Sequence, residues 1–240
     1  MAVEQNLKTA VAGVLAVLLA SLLAACSTDA YDAGDGSLSY MRADFVMART
    51  GSDGKFCSAA TDDGATLNLS PALAAGWTSK PDTVYRALLY YSCEGAVDKG
   101  ATLQVRPVSI VNVLVPKVAD ASHGQTALPV DPVTLETAWK SASGDYLNLG
   151  IAVKTGSVDG KFEAQSIGLA YTGSTTLDGG SKRYRLQLLH SQNNVPQYYS
   201  ASVYVSVPLR SLPVELQQGD QLEITVPTYK GEAVRLFTVD

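Results

Sequence analysis

Alternation of apolar and polar residues with a period of two runs through almost the whole chain beyond residue 38. It leaves little room for anything but β structure. Met41, Ala43, Phe45 and Met47 alternate with Arg42 and Asp44, and Leu147, Leu149, Ile151 and Val153 with Asn148 and Lys154. Tyr184, Leu186 and Leu188 are separated by Arg185 and Gln187, while Val203, Val205 and Val207 sit among Ser202 and Ser206. Leu222, Ile224 and Val226 flank Glu223 and Thr225. Strands with one buried and one wet face read this way. Asp53-Gly54, Asp63-Gly64, Asp159-Gly160 and Asp178-Gly179 punctuate them with pairs that tolerate positive φ in tight hairpins. Long helical periodicity occurs only in the first 25 residues. Beyond them, at most a short helix is expected near Ser70–Trp77, where Ser70 and Pro71 suit a cap and a first turn.

The pattern breaks once, at 116–132, where three prolines interrupt any sustained alternation, and this stretch reads as a linker. Before it five strands are expected, at 38–49, 54–60, 65–69, 84–93 and 102–115. After it seven are expected, at 133–140, 145–155, 161–172, 182–191, 199–209, 220–228 and 233–239. Five short strands suit a small OB-like barrel over 38–115, since closure removes unpaired edges. Seven suit a β-sandwich over 133–240. The expectation is an all-β chain, a five-stranded barrel followed by a seven-stranded sandwich.

The amino terminus sets the compartment. Lys8 precedes an uncharged, mostly apolar run that ends Leu23-Ala24-Ala25-Cys26. A charged start, a short apolar core and small residues before a cut describe a secretory signal over 1–25, too short for an ordinary membrane span. The tetrapeptide resembles a bacterial lipobox. That implies cleavage before Cys26, diacylation of its thiol and acylation of the new amino terminus; a plain signal peptide with an incidental cysteine is the alternative. Residues 26–37 carry three aspartates among small residues and read as a flexible acidic tether. Acidic residues behind a lipidated cysteine resemble the surface-export signal of some Bacteroidetes lipoproteins, and a solvated spacer explains them equally well.

Composition narrows the chemistry. Eighteen basic against 23 acidic residues give a net charge of −5, with no basic excess to hold nucleic acid. Two histidines and three cysteines leave little for a metal site. No Gly-x-Ser-x-Gly elbow, paired zinc histidines or phosphate loop occurs. His123 falls in the linker, His190 ends a strand, and Asp62-Asp63 lie in a turn where neighbouring side chains diverge. No catalytic residues and no cofactor are therefore expected. Cys57 and Cys93 each sit in a strand-like stretch; outside the cytoplasm they are candidates for a disulfide, with two buried thiols as the alternative. Among the aromatics, Trp77, Tyr85, Tyr90, Tyr91, Trp139, Tyr198 and Tyr199 are candidates for a ligand platform, although most aromatics in β proteins pack into cores. Tyr198-Tyr199 is the pair most expected at the surface, with Tyr90-Tyr91 second.

The order of segments carries a resemblance. The lipobox and tether lead to Ser52-Asp-Gly-Lys-Phe, Thr61-Asp-Asp-Gly-Ala-Thr-Leu, and Val84-Tyr-Arg-Ala-Leu-Leu-Tyr-Tyr. Val111-Asn-Val-Leu-Val-Pro-Lys117, Asp131-Pro-Val-Thr-Leu-Glu-Thr-Ala-Trp139 and Gly144-Asp-Tyr-Leu-Asn-Leu149 follow. This arrangement resembles the NigD-like lipoproteins of Bacteroidetes across essentially the whole chain. The resemblance implies an OB-type barrel joined to a C-terminal β-sandwich and transfers no catalytic residues; the Cys57/Cys93 pair departs from it. The expected role is a non-enzymatic envelope protein, held to a membrane, most simply the outer one, through Cys26. Its partner would be an envelope protein or a glycan, and not nucleic acid. A surface glycan- or peptide-binding lipoprotein and a bacteriocin-associated immunity or export accessory are the alternatives.

Overall fold

The computed structural model describes residues 40–93, 96–124, 127–160 and 164–240; the leader, Cys26 and the tether lie outside the described residues. Alternation becomes ladder pairing over most of that length. β1 (Met41–Thr50), β2 (Phe56–Thr61), β3 (Thr66–Leu73), β4 (Val84–Ser92) and β5 (Thr102–Asn112) close into a barrel of order β1-β2-β3-β5-β4. β4 pairs back on β1 from Met41↔Ser92 to Arg49↔Val84, so no edge is left open. The β1–β2 turn needs glycine at position 54, where φ is +74° and a Cβ would lie 2.2 Å from the Ser79 carbonyl oxygen.

The short helix expected near Ser70–Trp77 does not form. β3 runs on through Pro71 to Leu73, and an Ala75–Thr78 bridge then seats Trp77 at 5.2 Å from the Phe56 ring and 5.3 Å from Tyr85. The Trp77 indole N–H donates to the Ile110 carbonyl at 3.2 Å. Placing a large aromatic in the barrel core outweighs a local capping preference of about 1 kcal/mol. Val46, Ala48, Phe56, Leu67, Leu89 and Val105 fill the rest of that core.

β6 (Val118–Asp120), β7 (Thr134–Lys140), β8 (Tyr146–Thr155) and β9 (Ser166–Thr176) begin the second module. β10 (Lys182–Ser191), β11 (Tyr199–Pro208), β12 (Gln221–Thr228) and β13 (Gly231–Thr238) complete it. They form two sheets, β13-β12-β10-β9-β6 and β11-β8-β7, whose facing sides bury Leu147, Leu149, Ile151, Leu169, Leu186, Leu188 and Ile224. All seven strands expected of the sandwich are present, with β6 in addition.

The stretch 116–132 is not a linker. β6 pairs in parallel with β9, and Val130 bridges His190, whose backbone exchanges bonds with Pro129 and Asp131 at 2.9 and 3.0 Å. The buried His190 ring contacts the Asp131 carbonyl at 3.1 Å and Gln165 Oε1 at 2.8 Å. Strand pieces this short carry no readable alternation, so prolines dominate their sequence signature. The barrel also ends earlier than residue 115: Leu114 already pairs with Val205 of β11. Among the described residues no helix is long and apolar enough to cross a membrane.

Tyr91 is fully buried in the barrel core, where its hydroxyl donates to Asp44 Oδ2 at 2.5 Å. Burial first, and the Asp44 carboxylate second, push its phenol well above the ordinary value of about 10. The unfolded chain therefore releases this proton at a pH where the folded protein still holds it. The stability so contributed is whole below about pH 10 and is lost as pH rises beyond that value. Urea unfolding is expected to show a lower midpoint near pH 11 than near pH 8. Tyr91→Phe should narrow the gap; an unchanged gap in that variant would contradict the assignment.

Candidate functional site

The apolar stripe of β1 does not face the barrel interior. Val46 and Ala48 point inward, while Phe45 and Met47 point outward against the β11-β8-β7 sheet. The Phe45 ring stands edge-on to Trp139 at 5.1 Å and to Tyr204 at 5.4 Å, and the Tyr146 hydroxyl meets Met47 Sδ at 3.3 Å. β8 is thus covered on both sides, which is why Tyr146 through Ile151 are all buried. Its odd residues fill the sandwich core, and Tyr146 and Asn148 face the barrel.

Arg86, on the outer face of β4, occupies the middle of this seam with its side chain 1% exposed. Its Nη1 and Nη2 fork onto Asp62 Oδ1 and Oδ2 at 2.5 and 2.7 Å. Nε donates to Ser206 Oγ at 3.1 Å, and Nη2 also reaches Asn148 Oδ1 at 3.4 Å. The guanidinium lies 4.1 Å from the Tyr146 ring centroid and 5.4 Å from that of Phe45. Ser206 in turn donates to Asn148 Oδ1, and Asn148 Nδ2 is the one buried side-chain polar atom among the described residues without a partner. A guanidinium has five N–H donors in a rigid fork, so its location is set by acceptors from both modules at once. The backbone crosses at the same place: Val113 N donates to the Arg86 carbonyl, Leu114 N to that of Tyr204, and Ser206 N to that of Leu114.

A cleft opens on either side of Arg86. One, of about 390 Å³, is lined by Asp44, Phe45, Asp62, Asp63, Trp139 and Ser141. The other, of about 470 Å³, is lined by Met47, Val84, Val115, Tyr146 and Arg210 beside Arg86 itself. A further hollow of about 360 Å³ lies at one end of the sandwich. There Asp220 spends both oxygens on the backbone N–H groups of Lys182 and Gln217, and Tyr184 donates to the Glu215 carbonyl. That arrangement holds a loop.

The four tyrosines expected as a platform are not brought together. Tyr91 is core, Tyr90 is half-buried on the outer face of β4, and only Tyr198 and Tyr199 are open, at 72% and 52% exposure. Tyr199 opens β11, while Tyr198 lies in the bend just before it. Cys57 and Cys93 are not bridged. Cys57 lies beside Arg49 at one end of β1, and the Cys93 N–H bonds the Tyr40 carbonyl just past the other end. Nine residues of strand separate those two points by roughly 25–30 Å, where a disulfide needs Cα atoms within about 7 Å. His123 is exposed in its loop, and Asp63 accepts from the Thr61 hydroxyl. Among the described residues no group of three His, Cys, Asp or Glu side chains is placed to hold a metal ion. Arg86, Asn148 and Ser206 escape sequence reading, because a polar residue within an apolar strand is indistinguishable from one on a wet face. Their only signal is Arg86 inside Val84-Tyr-Arg-Ala-Leu-Leu.

Removing one partner of a buried pair strands the other, whereas replacing both with apolar or neutral groups costs little. Arg86→Ala is expected to lower the free energy of unfolding by about 3–5 kcal/mol in urea titration. Arg86→Met combined with Asp62→Asn should lose far less, and equal losses in the two proteins would contradict a charge-centred seam.

Comparison with known proteins follows the same division of the chain. The NigD-like C-terminal β-sandwich domain matches residues 117–239, a span that includes β6 and the supposed linker. A NigD-like immunity protein from Bacteroides caccae is similar over 83% of this chain and 97% of its own, with 21% identity and a TM-score of 0.57. A Bacteroides vulgatus protein of unknown function covers 83% of this chain and 92% of its own at 18% identity and a TM-score of 0.59. A candidate lipoprotein from Bacteroides fragilis covers 83% and 98% at 11% identity and a TM-score of 0.55. No curated protein matches. With that domain spanning just over half its length, the chain belongs to the NigD-like family.

Proposed function

We propose that the protein is a lipid-anchored component of the cell envelope, most simply of the outer membrane, that acts as a non-enzymatic scaffold or binding protein. The observation that carries this reading is Leu23-Ala24-Ala25-Cys26 placed before a short acidic tether. One acyl chain holds a protein only marginally, but several together anchor it stably. The Bacteroides fragilis protein of similar fold, itself a candidate lipoprotein, supports the same address. The strand order β1-β2-β3-β5-β4 supports an OB-like reading of the barrel, a scaffold that elsewhere presents one face to oligomeric ligands. The locked seam supports passive display, because a partner would meet both modules in one fixed arrangement. A second reading, bacteriocin immunity, is favoured by the NigD-like immunity protein among the similar structures.

The anchor is tested by growing a Bacteroides host that expresses the full chain with a clickable fatty acid. Label on the membrane-fraction protein, absent from Cys26→Ser, is expected. A membrane-free, unlabelled protein beginning elsewhere than Cys26 would overturn the proposal.

A further inference from the structure

We infer that the cleft on the Trp139 side of the seam is a carbohydrate site that takes a non-acidic pyranose. A pyranose offers an apolar C–H face and a rim of hydroxyls, so its site needs an aromatic surface beside fixed acceptors. At about 390 Å³ the cleft falls at the small end of ligand sites, which run from about 300 to 1,000 Å³. Trp139 is half-buried in its wall, and its indole N–H makes no hydrogen bond to the described residues. Its ring is braced by Phe45, so stacking on it requires no ordering of a mobile side chain.

An acceptor is held in advance as well: Asp63, in the β2–β3 turn, has Oδ1 engaged by the Thr61 hydroxyl and Oδ2 uncommitted. Charge then decides the class of sugar. Arg86 answers Asp62, and Lys140 is spent on Asp240 and the Thr238 carbonyl, so Asp63 leaves the cleft negative. Uronic and sialic acids are repelled, and neutral or amino sugars are accepted. Both modules contribute walls, so the site exists only while the seam is closed. The inference does not depend on the lipid anchor and stands or falls separately from it.

The test uses residues 40–240, which form one compact unit, on an array of neutral, amino-sugar and acidic oligosaccharides. Binding confined to neutral or amino sugars is expected, and the strongest of them should shift tryptophan emission on titration. Trp77 is half-buried against the barrel core and does not line the cleft, so a change that disappears in Trp139→Phe reports Trp139. Trp139→Ala and Asp63→Asn should each weaken binding about tenfold or more, the loss of a contact of about 1.4 kcal/mol. Trp139→Phe, which keeps the packing against Phe45 but removes the N–H, should weaken it less than Trp139→Ala. Tyr198→Ala should leave it unchanged. No binding to any glycan, a preference for acidic glycans, or binding lost in Tyr198→Ala but intact in both Trp139 variants would overturn the inference.

Discussion

A guanidinium removed from water has to be answered on every side, and Arg86 is answered by four residues from three parts of the chain. Asp62 comes from the β2–β3 turn, Asn148 from β8, Ser206 from β11 and the Tyr146 ring from the start of β8. Desolvating such an ion costs several kcal/mol, which its partners return only in one geometry. Its contribution is therefore less to total stability than to the choice of a single arrangement of barrel on sandwich. The backbone bonds through Val113 and Leu114 act in the same direction, tying the strand that leaves the barrel to the edge of β11. The two clefts beside Arg86 are consequences of this seam, since each takes its walls from both modules.

The strands outside 116–132 were legible because period-two alternation is a direct record of a pleated, half-buried surface. What the alternation does not record is which buried surface a face belongs to. Met41, Ala43, Phe45 and Met47 look like a barrel-facing stripe, yet Phe45 and Met47 meet the sandwich and Met41 meets solvent. β8 shows the converse: Asn148 looks like a wet position but is fully buried, because a second module covers that face. The stretch 116–132 misled for another reason, as three-residue edge pieces and isolated bridges are too short to leave a period.

The candidate site was legible only in fragments. Trp139 and the Asp62-Asp63 turn could be singled out by residue type, but nothing local tells that a sandwich strand and a barrel turn share one cleft. Tyr90 and Tyr91 illustrate the limit of composition: adjacent in sequence, they occupy opposite faces of β4, one half-exposed and one in the core. The Cys57–Cys93 expectation failed on distance, a quantity set by register along β1. Residue type proposed these partners, and only register and packing decided among them.

If Arg86 and the Leu114 crossing bind barrel and sandwich into one cooperative body, the two modules should melt together. Differential scanning calorimetry of residues 40–240 tests this most directly. The expected result is one transition whose calorimetric and van't Hoff enthalpies agree. Two resolved transitions, each with the enthalpy of a single module, would contradict it.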